Sequence, residues 1–170
     1  MTVVATPAVS WQRVALADLT PHQLYELLQL RTDVFVMEQD CAFQDMDGFD
    51  DQAVHLLGTV APDPAAAGQR VQGAPLIAYA RLFPAGIRFA EASIGRVITR
   101  STVRGTGLGH VLIREAIASV AALWGEQPIR IGAQSRLTAY YRQHGFVEVG
   151  ASYLEDGIDH QDMVWQLPAM

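Results

Sequence analysis

The sequence predicts one α/β domain, a mixed sheet with helices on both faces. Three observations predict it. The hydrophobic period switches along the chain in the order helix, strands, helix, strand, helix, strands. Half of the 170 residues are hydrophobic and 18% are charged, the balance of a globular chain. No repeat or linker interrupts the pattern, and this length suits a single domain with a sizeable core.

Residues 1–10 are small and mostly uncharged and are expected to form a loose tail, with the domain covering 11–167. Trp11 to Ala15 reads as a short first strand. Thr20-Pro21-His22-Gln23 is a helix start, with Thr20 as N-cap, Pro21 at the first position and Gln23 closing a capping box. Leu24, Leu27, Leu28, Leu30, Val34 and Phe35 extend that helix to about Val36. An acidic run follows (Glu38, Asp40, Asp45, Asp47, Asp50, Asp51), expected as a solvated loop. It lacks the ladder ending in Glu that an EF-hand needs, so no metal is expected there.

Val54 to Val60 and Leu76 to Phe83 read as strands, joined by an exposed Ala-, Pro- and Gly-rich connection, 61–75. Pro84-Ala85-Gly86 is a turn. Ser93 to Thr99 is a buried strand, and a helix runs from about Leu108 to a stop at Gly125. Ile129 to Ala133 is another strand. Ser135 is expected to cap a helix over Leu137 to His144, ended by Gly145. Phe146 to Val149 and Met163 to Leu167 are the closing strands.

The chemistry centres on Arg104-Gly105-Thr106-Gly107-Leu108-Gly109, between the Ser93 strand and its helix. Glycines at a helix start allow close backbone approach, and the first-turn N–H groups have no intrahelical partner. With the helix dipole they form an anion site. From Ala92 to Arg114 the chain carries Arg96, Arg100, Arg104, His110 and Arg114 and no acid, a positive island suited to a polyphosphate. A dinucleotide fingerprint would need glycine at His110. A P-loop would need lysine, and the chain has none.

Composition excludes other classes. A net charge of −6 argues against nucleic acid and against an anionic membrane as partners. All twelve basic residues are arginine, which excludes Schiff-base lysine chemistry. Cys41 is the only cysteine, so an internal disulfide and a cysteine-rich zinc site are excluded and a reducing, cytoplasmic setting is expected. The N-terminus lacks the basic start of a signal peptide, and no apolar run would span a bilayer.

The Arg-x-x-Gly-x-Gly turn between strand and helix resembles the acetyl-CoA motif of the GNAT N-acetyltransferases. Further marks fall at the family's spacing: Gln134, where Asn is usual, then Tyr141, then Gly145-Phe146. The chain is similar to the ElaA-like members in Leu24 to Arg31, Val34-Phe35-Val36, Glu38-Gln39, Asp45-Met46-Asp47-Gly48, Ile94 to Val97, Gly132-Ala133-Gln134 and Glu155 to Ile158 with His160. The likeness covers about residues 11–166.

The resemblance implies a mostly antiparallel mixed sheet in which two central parallel strands splay apart around acetyl-CoA. Pantetheine would pair with Val97, Ile98 and Thr99. The pyrophosphate would sit on Arg104, Gly105, Thr106, Gly107, Leu108 and Gly109, with Gln134 and Tyr141 also touching the cofactor. Acetyl would pass directly to an amine of a small molecule or peptide. An aliphatic amine, with a pKa near ~10, must lose a proton; His160, Glu38 and His55 are candidate bases, His160 foremost. Backbone N–H near Val97 and Ile98 would hold the oxyanion. Tyr141 matches the acid that protonates the departing thiolate. From pKa ~10 to ~8.5 that transfer is uphill by only about 2 kcal/mol. Glu38 and the acidic run are also candidates to attract a cationic amine. A homodimer is compatible with this reading. The alternative class is a CoA- or acyl-CoA-binding module without turnover.

Overall fold

The structure, a computed structural model, describes residues 5–60 and 74–167. The expected connection over 61–75 therefore lies almost wholly outside the described residues. Eight strands form one sheet: β1 (Val9–Ala15), β2 (Val54–Val60), β3 (Leu76–Phe83), β4 (Ala92–Thr99), β5 (Ile129–Gln134), β6 (Phe146–Glu148), β7 (Tyr153–Glu155) and β8 (Ile158–Trp165). Their order is β1-β2-β3-β4-β5-β8-β6, with β7 also paired to β8. Every pairing is antiparallel except β4 with β5.

Helix α1 (Pro21–Arg31) starts as its sequence dictates: Gln23 N–H donates to Thr20 Oγ1, and Thr20 N–H donates to Gln23 Oε1. It continues as a π-helical stretch over Thr32–Glu38, slightly beyond the expected end at Val36. Helix α2 (Leu108–Trp124) ends at Gly125. Adjacent residues of a strand face opposite ways, and β2 shows the result. Leu56 joins a core with Leu112, Ala116 and Val120 of α2, whereas Leu57 joins a second core with Leu27 and Leu30 of α1. The sheet thus carries helices on both faces.

Four expectations need correction. The first strand begins at Val9, two residues before Trp11. Ser135 caps no helix: a 3-10 turn over Ser135–Leu137 intervenes, the Ser135 hydroxyl is buried without a partner among the described residues, and α3 is short (Thr138–Arg142). The last strand begins at Ile158 rather than Met163 and ends at Trp165. β7 was not expected at all, because Tyr153, Leu154 and Glu155 are exposed and show no alternation.

Strand β4 sets the site. It pairs with β5 only at Ala92↔Ile129 and Ser93↔Arg130, then the two separate. Against β3, Gly95 is opposite Arg81 and Ile98 is opposite Tyr79, so β4 holds one residue more than its partner in this interval. That is a β-bulge, and Arg96 sits in it with φ +51°. The extra residue reverses the alternation. Ile94 and Val97 both face the α2 core, and Ile98 faces the α1 core.

Candidate active site

A cleft of about 1160 Å³ opens where β4 and β5 part. Its walls include Val97, Ile98, Thr99, Arg104, Gly105, Gly107, Leu108 and Gly109 at one end, and Gln134, Tyr141, Glu38 and His160 elsewhere. Of the residues expected to bind or react, Thr106 and His55 are not among its walls; the Thr106 hydroxyl donates to the Val103 carbonyl at 2.8 Å.

The glycine turn is built as an anion cradle. Gly105 (φ +77°) and Gly107 (φ +85°) occupy left-handed backbone that a side chain would strain. Gly107 is the N-cap of α2 and brings no side-chain cap, so the first-turn N–H groups of Leu108 and Gly109 are left for a ligand. At Gly109 a Cβ would come within 3.1 Å of the Tyr140 hydroxyl. The positive island is smaller than the sequence implies. Arg104 Nη1 lies 2.7 Å from Glu38 Oε2, and Arg96 Nε lies 2.7 Å from Asp45 Oδ1.

Tyr141 is 7% exposed, packed edge-on against Phe146. Burial, with Tyr140 adding to it, pushes its hydroxyl above the ordinary phenol range, so it stays protonated. Tyr140 is pushed up to about 12 by burial. Gln134 bridges Gln39, donating from Nε2 at 3.0 Å, and accepts from Arg136 Nε.

The three candidate bases part company. His160 is opposite Gln134 in the β5–β8 register and stacks on Tyr153. Its Nδ1 is 2.8 Å from the Ile158 carbonyl, which only accepts, so Nδ1 carries the hydrogen and a neutral ring leaves Nε2 with a free lone pair. His55 is fully buried with both nitrogens engaged, by the Tyr79 hydroxyl and the Asp50 carbonyl, and burial lowers its pKa. It is no base for a substrate. Glu38 is held by Arg104.

The middle of the acidic run is not a solvated loop, although Asp40 and Asp51 are exposed. Asp45 is 4% exposed and accepts from Arg31 Nε and Arg96 Nε, each at 2.7 Å; the guanidinium of Arg31 is itself fully buried. Arg31 also donates to Asp50, and Arg81 donates to both Asp47 and Asp50. Burial alone would raise Asp47, yet the hydrogen bonds and charge of Arg81, the Phe49 N–H and the charge of Arg96 outweigh it and hold it far below the carboxylate range. Asp50 is lowered in the same way by Arg31 and Arg81. These carboxylates are therefore not free to draw in a cationic amine.

Sequence reasoning missed part of the cleft: Arg81, Arg88, Phe43, Phe83, Phe89 and Tyr153 also line it. One signal was present. Arg81 is the single charge inside the apolar Leu76–Phe83 strand, and a buried charge requires partners. Among the described residues no helix is long and apolar enough to cross a membrane.

The comparisons agree with this geometry. Residues 71–167 match the acetyltransferase (GNAT) domain family. A UPF0039 protein of Synechocystis is 36% identical over 94% of this chain and 95% of its own. The crystal structure of an acyl-CoA N-acyltransferase from Pseudomonas aeruginosa is 40% identical, covers 92% of this chain and 99% of that one, and superposes with a TM-score of 0.79. The crystal structure of Escherichia coli ElaA is 34% identical, covers 94% and 100%, and gives 0.78. The chain thus has the acyl-CoA N-acyltransferase fold and belongs to the GNAT acetyltransferase family, among its ElaA-like members.

Proposed function

We propose that the protein transfers acetyl from acetyl-CoA directly to the amine of a small-molecule or peptide acceptor, in the cytoplasm. One observation carries the reading: the glycine turn, the unpaired edge of β4, Tyr141 and His160 border one continuous cleft. In this reading the Leu108 and Gly109 N–H groups, with Arg104, hold the pyrophosphate. Val97, Ile98 and Thr99 offer backbone to pantetheine, and N–H at the bulge meets the oxyanion.

His160 Nε2 takes the proton from the attacking ammonium, directly or through one water. The amine nitrogen then attacks the thioester carbonyl, and the tetrahedral intermediate collapses with cleavage of the C–S bond. Tyr141 gives its proton to the leaving sulfur, and the second proton that the nitrogen sheds on becoming an amide returns to the phenolate. Its raised pKa makes that transfer more uphill than for a free phenol, and it ensures that the proton is there to give. Gln134 is assigned to the cofactor side, and Glu38 is assigned to Arg104 rather than to base catalysis.

The test is thiol release from acetyl-CoA against a panel of amines, with the acetylated product identified by mass. CoA binding without release to any amine would replace the enzyme by a binding module.

A further inference from the structure

The acceptor's own chemistry is legible on the α1 face of the sheet. Ile94 faces α2, so Ser93 and Gly95 face α1; in β3, Tyr79 packs with α1, so Arg81 and Phe83 do also. Three arginines gather on this side of the cleft around one carboxylate. Asp47 Oδ2 is 2.6 Å from Arg81 Nη2 and 3.7 Å from both Arg88 Nη1 and Arg96 Nη2. Counting the whole cluster, Arg31, Arg81, Arg88 and Arg96 stand against Asp45, Asp47 and Asp50, so one positive charge is left over.

The surplus belongs to the cleft wall. Arg81 is 2% exposed, lines the cleft, and its Nε–H has no partner among the described residues. A buried unpaired donor calls for a partner supplied by water or ligand. Arg88 contacts Asp47 only beyond hydrogen-bond distance and is 34% exposed. Arg96 is held at a positive φ that a non-glycine residue rarely adopts, a strain the fold maintains at the cleft. Phe35 and Phe43 lie under its guanidinium, Phe83 under that of Arg81. The β7–β8 hairpin, with Glu155 opposite Ile158 and Tyr153 opposite His160, puts Glu155, Asp156 and His160 all on the cleft wall.

We infer that the acceptor is an amine that also carries a carboxylate and an apolar body. The carboxylate sits on Arg88 and the free edges of Arg96 and Arg81. The body lies on the phenyl rings, and the ammonium is directed to the acidic hairpin and His160. The inference rests on the acetyl-transfer reading in taking this side of the cleft as the acceptor's.

The experiment compares 4-(aminomethyl)benzoate with 4-(aminomethyl)benzamide, and phenylalanine with phenylalaninamide, in wild type and Arg88→Gln. Comparing the acid-to-amide ratio of kcat/KM between wild type and variant cancels the difference in intrinsic amine reactivity. The ratio is expected to fall about ten- to a hundredfold in Arg88→Gln, the value of a charge-assisted hydrogen bond, with Arg88→Lys recovering part of it. An unchanged ratio overturns the inference. A thermal-shift arm with CoA-loaded protein covers the case of no turnover. Stabilisation by the benzoate over the benzamide, lost in Arg88→Gln, supports the carboxylate site; no preference for the benzoate overturns it. Absence of thiol release from every amine would sink acetyl transfer alone and leave the thermal-shift arm to decide the ligand class.

Discussion

Glu38 and Arg104 hold each other at 2.7 Å across the mouth of the cleft, so the cation of the anion-binding turn is shared with a carboxylate from the end of the first helical segment. A pyrophosphate arriving at Arg104 must compete with it. Glu38→Gln is therefore expected to tighten CoA binding rather than to raise the acceptor's KM. The pair is about two-fifths exposed, and exposed pairs contribute roughly 0.2–1 kcal/mol, so the gain is at most about fivefold in Kd. Calorimetric titration with CoA checks this, and weaker CoA binding by the variant would reverse the assignment.

Gly107 tests the turn itself. At φ +85° with the would-be Cβ 3.5 Å from Thr6 Oγ1, Gly107→Val meets backbone strain more than a clash. A ligand at a hundred times its Kd stabilises the native state by about 2.7 kcal/mol. Wild type is expected to gain that with CoA, and Gly107→Val to gain almost none. Melting curves with and without CoA read it directly. Equal stabilisation by NAD would count against the cofactor.

Tyr141 and Tyr140 are neighbours with separable roles. Tyr141→Phe leaves the packing on Phe146 and removes the acid, so kcat is expected to drop by ~10²–10⁴ with CoA binding retained. Tyr140 lies against Gly109 at the phosphate end, so Tyr140→Phe is expected to act mainly on the KM for acetyl-CoA. A larger kcat loss in Tyr140→Phe would exchange the two roles.

His160 tests the base. His160→Ala is expected to lower turnover by ~10²–10⁴ while leaving CoA binding intact. Unchanged turnover in the variant would send the proton out by another route, such as a water chain.

His55 predicts a stability effect. Its folded pKa is depressed, chiefly by burial, so below about pH 6.5 the unfolded chain binds a proton that the folded chain refuses. Stability then falls with falling pH, by at most about 1.4 kcal/mol per unit, until the folded pKa is reached. Asp47 and Asp50 act later: their depressed values keep stability above the ordinary carboxylate range and withdraw it as pH falls through the folded values. Urea unfolding of His55→Gln is expected to lose the slope between pH 7 and 5 and to keep the one below about pH 4. An identical slope in the upper range would assign it elsewhere.

The local elements were legible where punctuation and period agree. Thr20-Pro21 opens α1 and Gly125 closes α2, because capping and helix termination are short-range effects. The glycine turn was legible for the same reason. The arginine cluster was not. Arg31 and Asp45 are 14 residues apart and Arg81 and Asp47 are 34 apart, and nothing local says which acid a distant guanidinium will choose. The solvated-loop expectation for the acidic run failed on that point. The β7–β8 hairpin carried a usable sign, Asp156-Gly157, but its strand is exposed and lacks alternation, so only pairing with β8 defines it.

The bulge at Arg96 gives the middle of β4 one residue that the ladder with β3 does not need. With Arg96 skipped, Ile94, Gly95, Val97 and Ile98 alternate as a regular strand would, so a deletion of Arg96 would let β4 pair regularly with β3 and leave Val97 facing α2 and Ile98 facing α1. What the deletion would abolish is the guanidinium and the irregular backbone at the cleft wall. The fold therefore tolerates a shorter β4 better than the cleft does, and melting curves beside CoA titrations of that deletion should separate the two.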